Sequence, residues 1–188
     1  MLDILTIVFW SLTYVLIVIA GFKSRNVKKV SMPYIAGVLN FSWEICALIV
    51  FRGNWGHVLW LLLDCVIVYF GFSYLGKVKQ RLLYIISIVV ITIVLFHIFK
   101  LPDGALISVF IIDLIMAIDF IVQSKALSSQ FKVPIAITKL IGDLFAGIMC
   151  ATSSILIAIL AVLVFLCNLF YLCYCFEEQS KNMKAQKR

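Results

Sequence analysis

Six ionisable side chains stand inside long apolar stretches of this sequence, and their types point to proton chemistry. They are Glu44, Asp64, Asp113, Asp119, Lys139 and Asp143. An ionisable group in the middle of a bilayer costs roughly 2.5–3.5 kcal/mol on insertion scales, so such residues favour a functional role. One base cannot neutralise five acids. Most of the acids must therefore be protonated, hydrogen-bonded or placed against a watery cavity.

Helical spacing brings several polar groups onto common faces. Three pairs stand four residues apart and so share a helix face: Asn40 with Glu44, Trp60 with Asp64, and Lys139 with Asp143. A carboxyl surrounded by tryptophan and aliphatic side chains can keep its proton at neutral pH, as a general acid must. Glu44 has no basic residue in its own span, which favours function over structure there.

The other charged residues in these stretches also have structural interpretations. Lys139 is expected to pair with Asp119 or Asp143 and to pin the fifth and sixth spans, and the sequence leaves the partner open. Asp64 and Asp113 suit polar contacts between helices as well as they suit function. By helical position, four of the five carboxyls fall near the middle of the bilayer, and Asp119 lies deeper with Lys139.

The composition excludes a soluble globular domain. Of the 188 residues, 64% are hydrophobic and only 13% are charged. Soluble domains are closer to half apolar and a quarter charged. The polar residues present could not cover the surface of a soluble domain, whereas lipid around an apolar exterior removes that requirement.

Seven apolar runs each approach the roughly 17–25 residues that cross a bilayer as a helix. The runs are Leu2–Phe22, Pro33–Phe51, His57–Leu75, Leu82–Phe99, Ala105–Gln123, Pro134–Ala151 and Ile155–Phe176. They do not alternate as the strands of a membrane barrel would. We predict an all-α bundle of seven transmembrane helices, a single domain over residues 1–176, with a frayed polar tail over 177–188. Short connectors predict that consecutive helices are antiparallel neighbours.

The basic residues predict an orientation. Thirteen of the 16 lysines and arginines fall in the first, third and fifth connectors and the tail, against Arg52 and Lys100 on the other side. The positive-inside rule then places the N-terminus outside and the C-terminus in the cytoplasm. The expected location is the plasma membrane in a bacterium or the endoplasmic reticulum in a fungus.

Several other classes of function are disfavoured. The net charge of +7 is divided among short connectors without an aromatic platform, which is not the pattern of a nucleic-acid-binding protein. All six cysteines lie in apolar runs, with no CxxC or Cys/His spacing typical of zinc. We expect no metal, no cofactor and no nucleic acid. The expected partners are membrane lipids and a lipophilic small molecule.

Three spans together resemble a known family. A Met-Pro pair opens the second span, which continues as Asn-x-x-Trp-Glu, and the third span reads Trp-x-x-x-Asp-x-x-x-x-Tyr. The matching residues are Asn40, Trp43 and Glu44, then Trp60, Asp64 and Tyr69, and in the sixth span Lys139 and Gly142. This pattern resembles the small integral-membrane terpene cyclases of fungal meroterpenoid pathways.

The resemblance implies acid-initiated cyclisation of an epoxidised prenyl chain carried on an aromatic or polyketide head. Such chemistry needs no metal, and the chain has no DDxxD-type magnesium motif. Glu44 is then the expected general acid, with Asp64 as a second catalytic carboxyl. The expected substrate-binding residues are Asn40, Trp43, Trp60, Tyr69, Asp113 and Asn168.

The last span departs from the family pattern. Asn168 stands where the family has aspartate in Phe-x-x-Asp-x-x-Tyr. Because asparagine cannot give up a proton as a carboxyl does, the acid role of that position passes to Asp64, Asp113 or Asp143. Asn168 itself is expected to hold a substrate group or to orient Glu44.

Three classes of function therefore follow from the sequence, and a membrane terpene cyclase is the favoured one. The alternatives are a small-molecule or proton-coupled transporter and a non-catalytic membrane partner, such as an immunity or sensor subunit. A cyclase is expected to have a closed apolar cavity around Glu44. A transporter requires a polar path to both faces, and a partner subunit is expected to show no cavity and an exposed apolar or small-residue stripe.

Overall fold

The computed structural model describes residues 1–24, 32–51, 55–124 and 131–186, and these ranges form seven α-helices without a β-strand. The helices are α1 Leu2–Ser24, α2 Tyr34–Val50, α3 Trp55–Tyr74, α4 Val78–Ile98, α5 Gly104–Val122, α6 Lys132–Cys150 and α7 Ile155–Gln186. The predicted all-α class and the number of helices agree with this part of the chain.

Six of the helices are long and apolar enough to cross a membrane, and α2 is apolar but shorter. α2 has 17 residues, about 26 Å at the rise of an α-helix, against a hydrocarbon core of roughly 30 Å. Pro33 fixes its beginning, because proline lacks the N–H that would continue a helix backwards. The helices agree with an integral membrane protein, while the orientation remains a prediction.

Two predicted boundaries are wrong by a turn or more. α4 begins at Val78, four residues before Leu82, because the backbone N–H of Lys77 donates to the side chain of Gln80 at 3.3 Å. α7 continues ten residues past the predicted end of its apolar run. The tail expected to be frayed is thus helical to Gln186, and residues 187–188 lie outside the described part.

Ion pairs support the extension of α7. Lys181 pairs with Glu177 four residues earlier, at 2.6 Å. Lys132, at the beginning of α6, reaches Glu178 at 2.9 Å and also donates to the carbonyl of Ser124 at 2.6 Å. One face of the polar extension is therefore fixed to the ends of α5 and α6.

Six of the helices form a closed ring, and α4 packs outside it. Around the ring the order is α1, α3, α2, α5, α7 and α6, which returns to α1. α4 lies against α2 and α5, where Ser42 and Cys46 of α2 donate to the carbonyl oxygens of Ile88 and Thr92 at 3.3 and 3.4 Å. Only Tyr84 and Leu95 of α4 are buried, as its outer position requires.

The expectation that all consecutive helices are neighbours is wrong for three pairs. α2 with α3, α4 with α5, and α6 with α7 pack together, but α1 with α2, α3 with α4, and α5 with α6 do not pack along each other in the described residues. The two longest connectors contain residues 25–31 and 125–130. They join α1 to α2 and α5 to α6, two of the pairs that do not pack along each other. They leave enough chain for the next helix to take a place elsewhere in the ring.

The beginning of α5 packs so closely on the end of α4 that only glycine fits. A Cβ atom on Gly104 would overlap the carbonyl oxygen of Ile98, whereas one on Gly76 would meet nothing within 4 Å. We predict that Gly104→Ala lowers the free energy of unfolding by about 1–3 kcal/mol, the usual cost of overpacking. Gly76→Ala is the control. Thermal unfolding in detergent tests the pair, and equal melting temperatures for both variants would contradict the packing.

Candidate functional site

A cavity of about 290 Å³ lies inside the helix ring, in the half that holds the N-terminus of the chain. It is bounded by the first halves of α1, α3 and α5 and by later parts of α2 and α6. Its polar lining includes Asp3, Thr6, Tyr14, Asn40, Glu44, His57 and Asp113. A closed cavity was expected for a cyclase, but this cavity is open at one end. The exposed side chain of Asp3 lies at its rim, at the end of the bundle.

A second hollow of similar size has none of this chemistry. It measures about 310 Å³, lies between α2, α4 and the end of α3, and is lined by apolar side chains with Tyr34, Gln80, Tyr84 and Ser87. No acidic or basic side chain reaches it in the described residues. The cavity beside Glu44 is therefore the better candidate site, although it is slightly smaller.

Glu44 is paired with a histidine from the next helix. Its Oε2 atom lies 2.8 Å from Nδ1 of His57, and the two residues are 3% and 8% exposed. Sequence analysis found no basic residue in the span of Glu44 and did not select His57. The spacing of His57, Trp60 and Asp64 at i, i+3 and i+7 on one helix face was the available signal.

Asp64 lies behind the cavity wall. It is completely buried, and its Oδ2 atom accepts a hydrogen bond from the side-chain amide of Asn40 at 2.8 Å. The same amide donates to the hydroxyl of Tyr14, which does line the cavity. The other carboxyl oxygen of Asp64 has no hydrogen-bond partner among the described residues. Asp64 thus does not line the cavity, although it contacts Asn40 and lies within electrostatic range of Glu44 and Tyr14. Its catalytic role stays a prediction.

Two tryptophans in the cavity wall are held by hydrogen bonds. The indole N–H of Trp43 donates to Ser108 at 3.1 Å, and that of Trp60 donates to Ser11 at 3.0 Å. The ring of Tyr14 stacks on Trp60 with an interplanar angle of 13°. These contacts fix the rings so that they present aromatic surface to the cavity, where Trp10 and Phe110 add more.

Tyr69 is placed away from the site. Its residue is 58% exposed on the outer surface of α3 and does not line the cavity. It follows Asp64 by five residues, which turns it about 140° from the face of that residue on an α-helix. The structure therefore does not bring Tyr69 to this cavity, and its substrate-binding role stays a prediction.

Lys139 and Asp143 form a fully buried pair below the cavity. The Nζ atom of Lys139 lies 2.7 Å from Oδ2 of Asp143, and both side chains are 1% exposed. The amide of Asn168 donates to the same carboxyl oxygen, and the ring of Trp10 covers the lysine at 4.8 Å. Asn168 thus orients Asp143. It does not orient Glu44 or line the cavity, in contrast to the sequence-based expectation.

Asp119 does not pair with Lys139, which the sequence analysis had offered as one of two possibilities. Its Oδ2 atom accepts from the backbone N–H of Ala36 at 3.1 Å, and its Oδ1 atom accepts from Gln123 at 2.5 Å. Ala36 stands in the first turn of α2, whose backbone donors have no partner within the helix. Of the two carboxyls that the sequence offered to Lys139, the structure places Asp143 beside it and uses Asp119 to cap α2.

Asp113 is the second buried carboxyl in the cavity wall. It is 5% exposed, and it lies within electrostatic range of Glu44, Lys139 and Asp143. Below it the interior of the ring is filled by contacts such as the 2.8 Å hydrogen bond between Thr13 and Thr138. The cavity therefore ends at a packed floor that begins near Asp113.

The lining determines which ligands the cavity suits. Two buried carboxyls face it, and no lysine or arginine does so in the described residues. In the same ranges no group of three or more His, Cys, Asp and Glu side chains is placed to hold a metal ion. The site can donate a proton or a hydrogen bond, and its aromatic faces can stabilise a positive charge. Among the described residues, its lining offers no lysine or arginine to neutralise a phosphate.

A scan against protein-family models, a search of curated proteins and a search of solved structures each found no match to this chain. Helical bundles of one architecture serve many functions, so the function has to come from the chemistry of the site.

The pair below the cavity allows a stability prediction. Lys139→Met leaves the Asp143 carboxylate buried without its cation, which costs about 3–5 kcal/mol of unfolding free energy. Adding Asp143→Asn removes that charge and keeps an acceptor for Asn168, so the double variant should regain most of the loss. Lys181→Met, in the exposed pair with Glu177, is the control and should change little. Thermal unfolding in detergent measures all three, and a double variant as unstable as Lys139→Met would contradict the argument.

A second prediction concerns the departure in the last span. Asn168→Asp restores the residue of the resembled family but places another carboxyl against Asp143. Because like charges cannot both ionise at such a contact, we expect a lower melting temperature and no gain in any catalytic conversion. A gain in conversion by Asn168→Asp would show that this position acts on the substrate.

Proposed function

We propose that this chain is an integral-membrane terpene cyclase that starts the reaction by protonation, with Glu44 as general acid. The observation that carries the proposal is a buried carboxyl facing an aromatic cavity inside a ring of apolar helices. Intramembrane acids are costly and favour function. Unlike Asp119 and Asp143, Glu44 lines the cavity with aromatic and polar walls, whereas the hollow of about 250 Å³ beside Asp143 is otherwise lined by apolar residues.

The proposed reaction is an isomerisation. Glu44 gives a proton to the oxygen of a terminal epoxide on a prenyl chain, and the C–O bond breaks as the oxygen becomes a hydroxyl. The electron-deficient carbon is attacked by the next double bond, and ring closures follow. Loss of a proton from carbon ends the sequence, so the product has the mass of the substrate. Asp113, in the same cavity wall, is placed to accept that proton.

The cavity wall suits a cationic intermediate. Trp43 and Trp60, both held by hydrogen bonds, offer π faces that attract a positive charge. The packed floor beneath Asp113 excludes water from that side, and water would otherwise trap the cation before the rings close. The wall has no lysine or arginine in the described residues, so the proposed substrate is a neutral prenylated lipid rather than a diphosphate.

Sequence motifs add support. Asn40, Trp43 and Glu44 resemble the second-span pattern of the fungal meroterpenoid cyclases, and all three line the cavity. Asn168, the position of departure, lies away from it, so its lost carboxyl leaves the cavity wall unchanged. From the basic residues in the connectors, we propose that the N-terminus lies outside and the C-terminus in the cytoplasm. The proposed membrane is the plasma membrane of a bacterium or the endoplasmic reticulum of a fungus.

The test compares membranes that contain wild type, Glu44→Gln or Glu177→Gln. Each is incubated with a panel of epoxidised farnesyl-aromatic compounds, and products are identified by mass spectrometry and NMR. We expect wild type to form a cyclised isomer of unchanged mass and Glu44→Gln to lose at least about 100-fold in rate, because the amide cannot give the proton. Glu177→Gln, on the exposed surface of α7, should match wild type.

The absence of conversion by folded wild type across the panel would contradict the cyclase proposal. Equal conversion by wild type and Glu44→Gln would instead keep the reaction and remove Glu44 as its acid. Melting temperatures measured on the same preparations distinguish a lost proton donor from a lost fold.

A further inference from the structure

We propose that His57 is the positioning residue of Glu44: it holds one carboxyl oxygen and stabilises the carboxylate that forms when the proton leaves. This inference rests on the proposed function for its reaction step, and on the structure for its geometry. It concerns a residue that the sequence patterns did not select.

The geometry fixes both members of the pair. The Nδ1 atom of His57 lies 2.8 Å from Oε2 of Glu44, so this carboxyl oxygen is occupied. The imidazole is surrounded by Trp43, Phe51 and Trp60, with ring centroids between 5.5 and 5.9 Å away. A ring enclosed on three sides cannot turn freely, so the carboxyl that it holds is fixed as well.

Fixing Oε2 leaves Oε1 as the oxygen that can meet a substrate. Both residues line the cavity, and the described residues show no other hydrogen bond to the Glu44 carboxyl, so Oε1 can reach the space that a ligand would occupy. Precise placement of a proton donor is a large part of acid catalysis, because a misplacement of about 1 Å can cost on the order of 100-fold in rate. The hydrogen bond from His57 thus fixes the orientation of the acid, as a second carboxylate or an amide does in other sites.

The same contact explains how the proton can leave. In the tautomer that carries its proton on Nδ1, His57 donates to Oε2, and the acid proton of Glu44 is then on Oε1. When Glu44 gives its Oε1 proton to the epoxide oxygen, the carboxylate left behind accepts a hydrogen bond from Nδ1–H of His57. The C–O bond electrons go to the new hydroxyl, and the proton that carbon loses to Asp113 at the end returns to Glu44 before the next turnover. Protons therefore balance over one turnover.

The alternative is that the pair only joins α2 to α3. Lys139 and Asp143 show what such a pair looks like, since that pair is enclosed and none of its atoms faces the cavity. Glu44 and His57 are also buried, but both of them line the cavity. A merely structural histidine would be replaceable by any ring that packs equally well, whereas a positioning histidine would not.

The variants separate these two roles. His57→Phe keeps a ring among the aromatic neighbours and removes the nitrogen. His57→Asn loses the ring but places an amide N–H near the position of Nδ1, whereas the amide of His57→Gln extends beyond it. His97, the other histidine of the chain, is exposed, and its Nδ1 contacts the carbonyl of Ile93 in its own helix at 2.8 Å. His97→Phe is therefore the matched control.

The experiment measures kcat and KM for the compound that wild type cyclises. It also measures the melting temperature and the infrared carboxyl band that disappears in Glu44→Gln. For His57→Phe and His57→Gln we expect kcat to fall about 100-fold with little change in KM, and the Glu44 band to shift. For His57→Asn we expect kcat within about tenfold of wild type and a band close to that of wild type. His97→Phe should match wild type throughout.

The infrared band keeps this inference separate from the proposed function. If wild type converts nothing but the band shifts in His57→Phe and returns in His57→Asn, the cyclase proposal fails while the positioning contact stands. If wild type converts its substrate and folded His57→Phe does so equally well with an unmoved band, the inference is overturned. If His57→Phe does not fold, His57→Gln decides between the same two outcomes.

Discussion

Burial of charged and polar groups where little water can reach them is the constraint on which this structure depends. A backbone or side-chain polar group in such a place has to find its partner within the protein. Here the partners come mostly from other helices, and the resulting contacts follow the ring. They join α2 to α3 through Glu44 and His57, α2 to α5 through Ala36 and Asp119, and α6 to α7 through Asp143 and Asn168.

The same constraint divides the acids into two groups. Asp119 and Asp143 contact partners that hold helices together, and neither lines the cavity beside Glu44. Glu44 and Asp113 lie where the ring encloses space, with fixed aromatic rings around them. A buried carboxyl that lines a polar and aromatic cavity can act on a ligand there, whereas one paired with a neighbouring helix residue holds the fold together. This difference in surroundings carries the proposed acid chemistry.

Much of the fold could be predicted because lipid imposes a simple pattern. Apolar runs of bilayer length predict helices whatever their neighbours, so the seven elements and most of their boundaries followed from local hydrophobicity. The exceptions were the polar ends. α4 begins in charged sequence, where the backbone N–H of Lys77 donates to Gln80. α7 continues into charged sequence because Lys132 pairs with Glu178, and such pairs form between segments far apart in the chain.

The sequence by itself determined which residues are chemically unusual: carboxyls, one lysine and several aromatic rings where only apolar residues are expected. Spacing along one helix placed Asn40 beside Glu44 and Lys139 beside Asp143, since neighbours four residues apart depend only on helix geometry. Only the tertiary structure decided which helices meet. It gave Glu44 its partner His57, moved Asp64 behind Asn40, and turned Tyr69 outward. The physical reason is that helix rotation and ring order are set by packing between helices, which no single stretch of sequence contains.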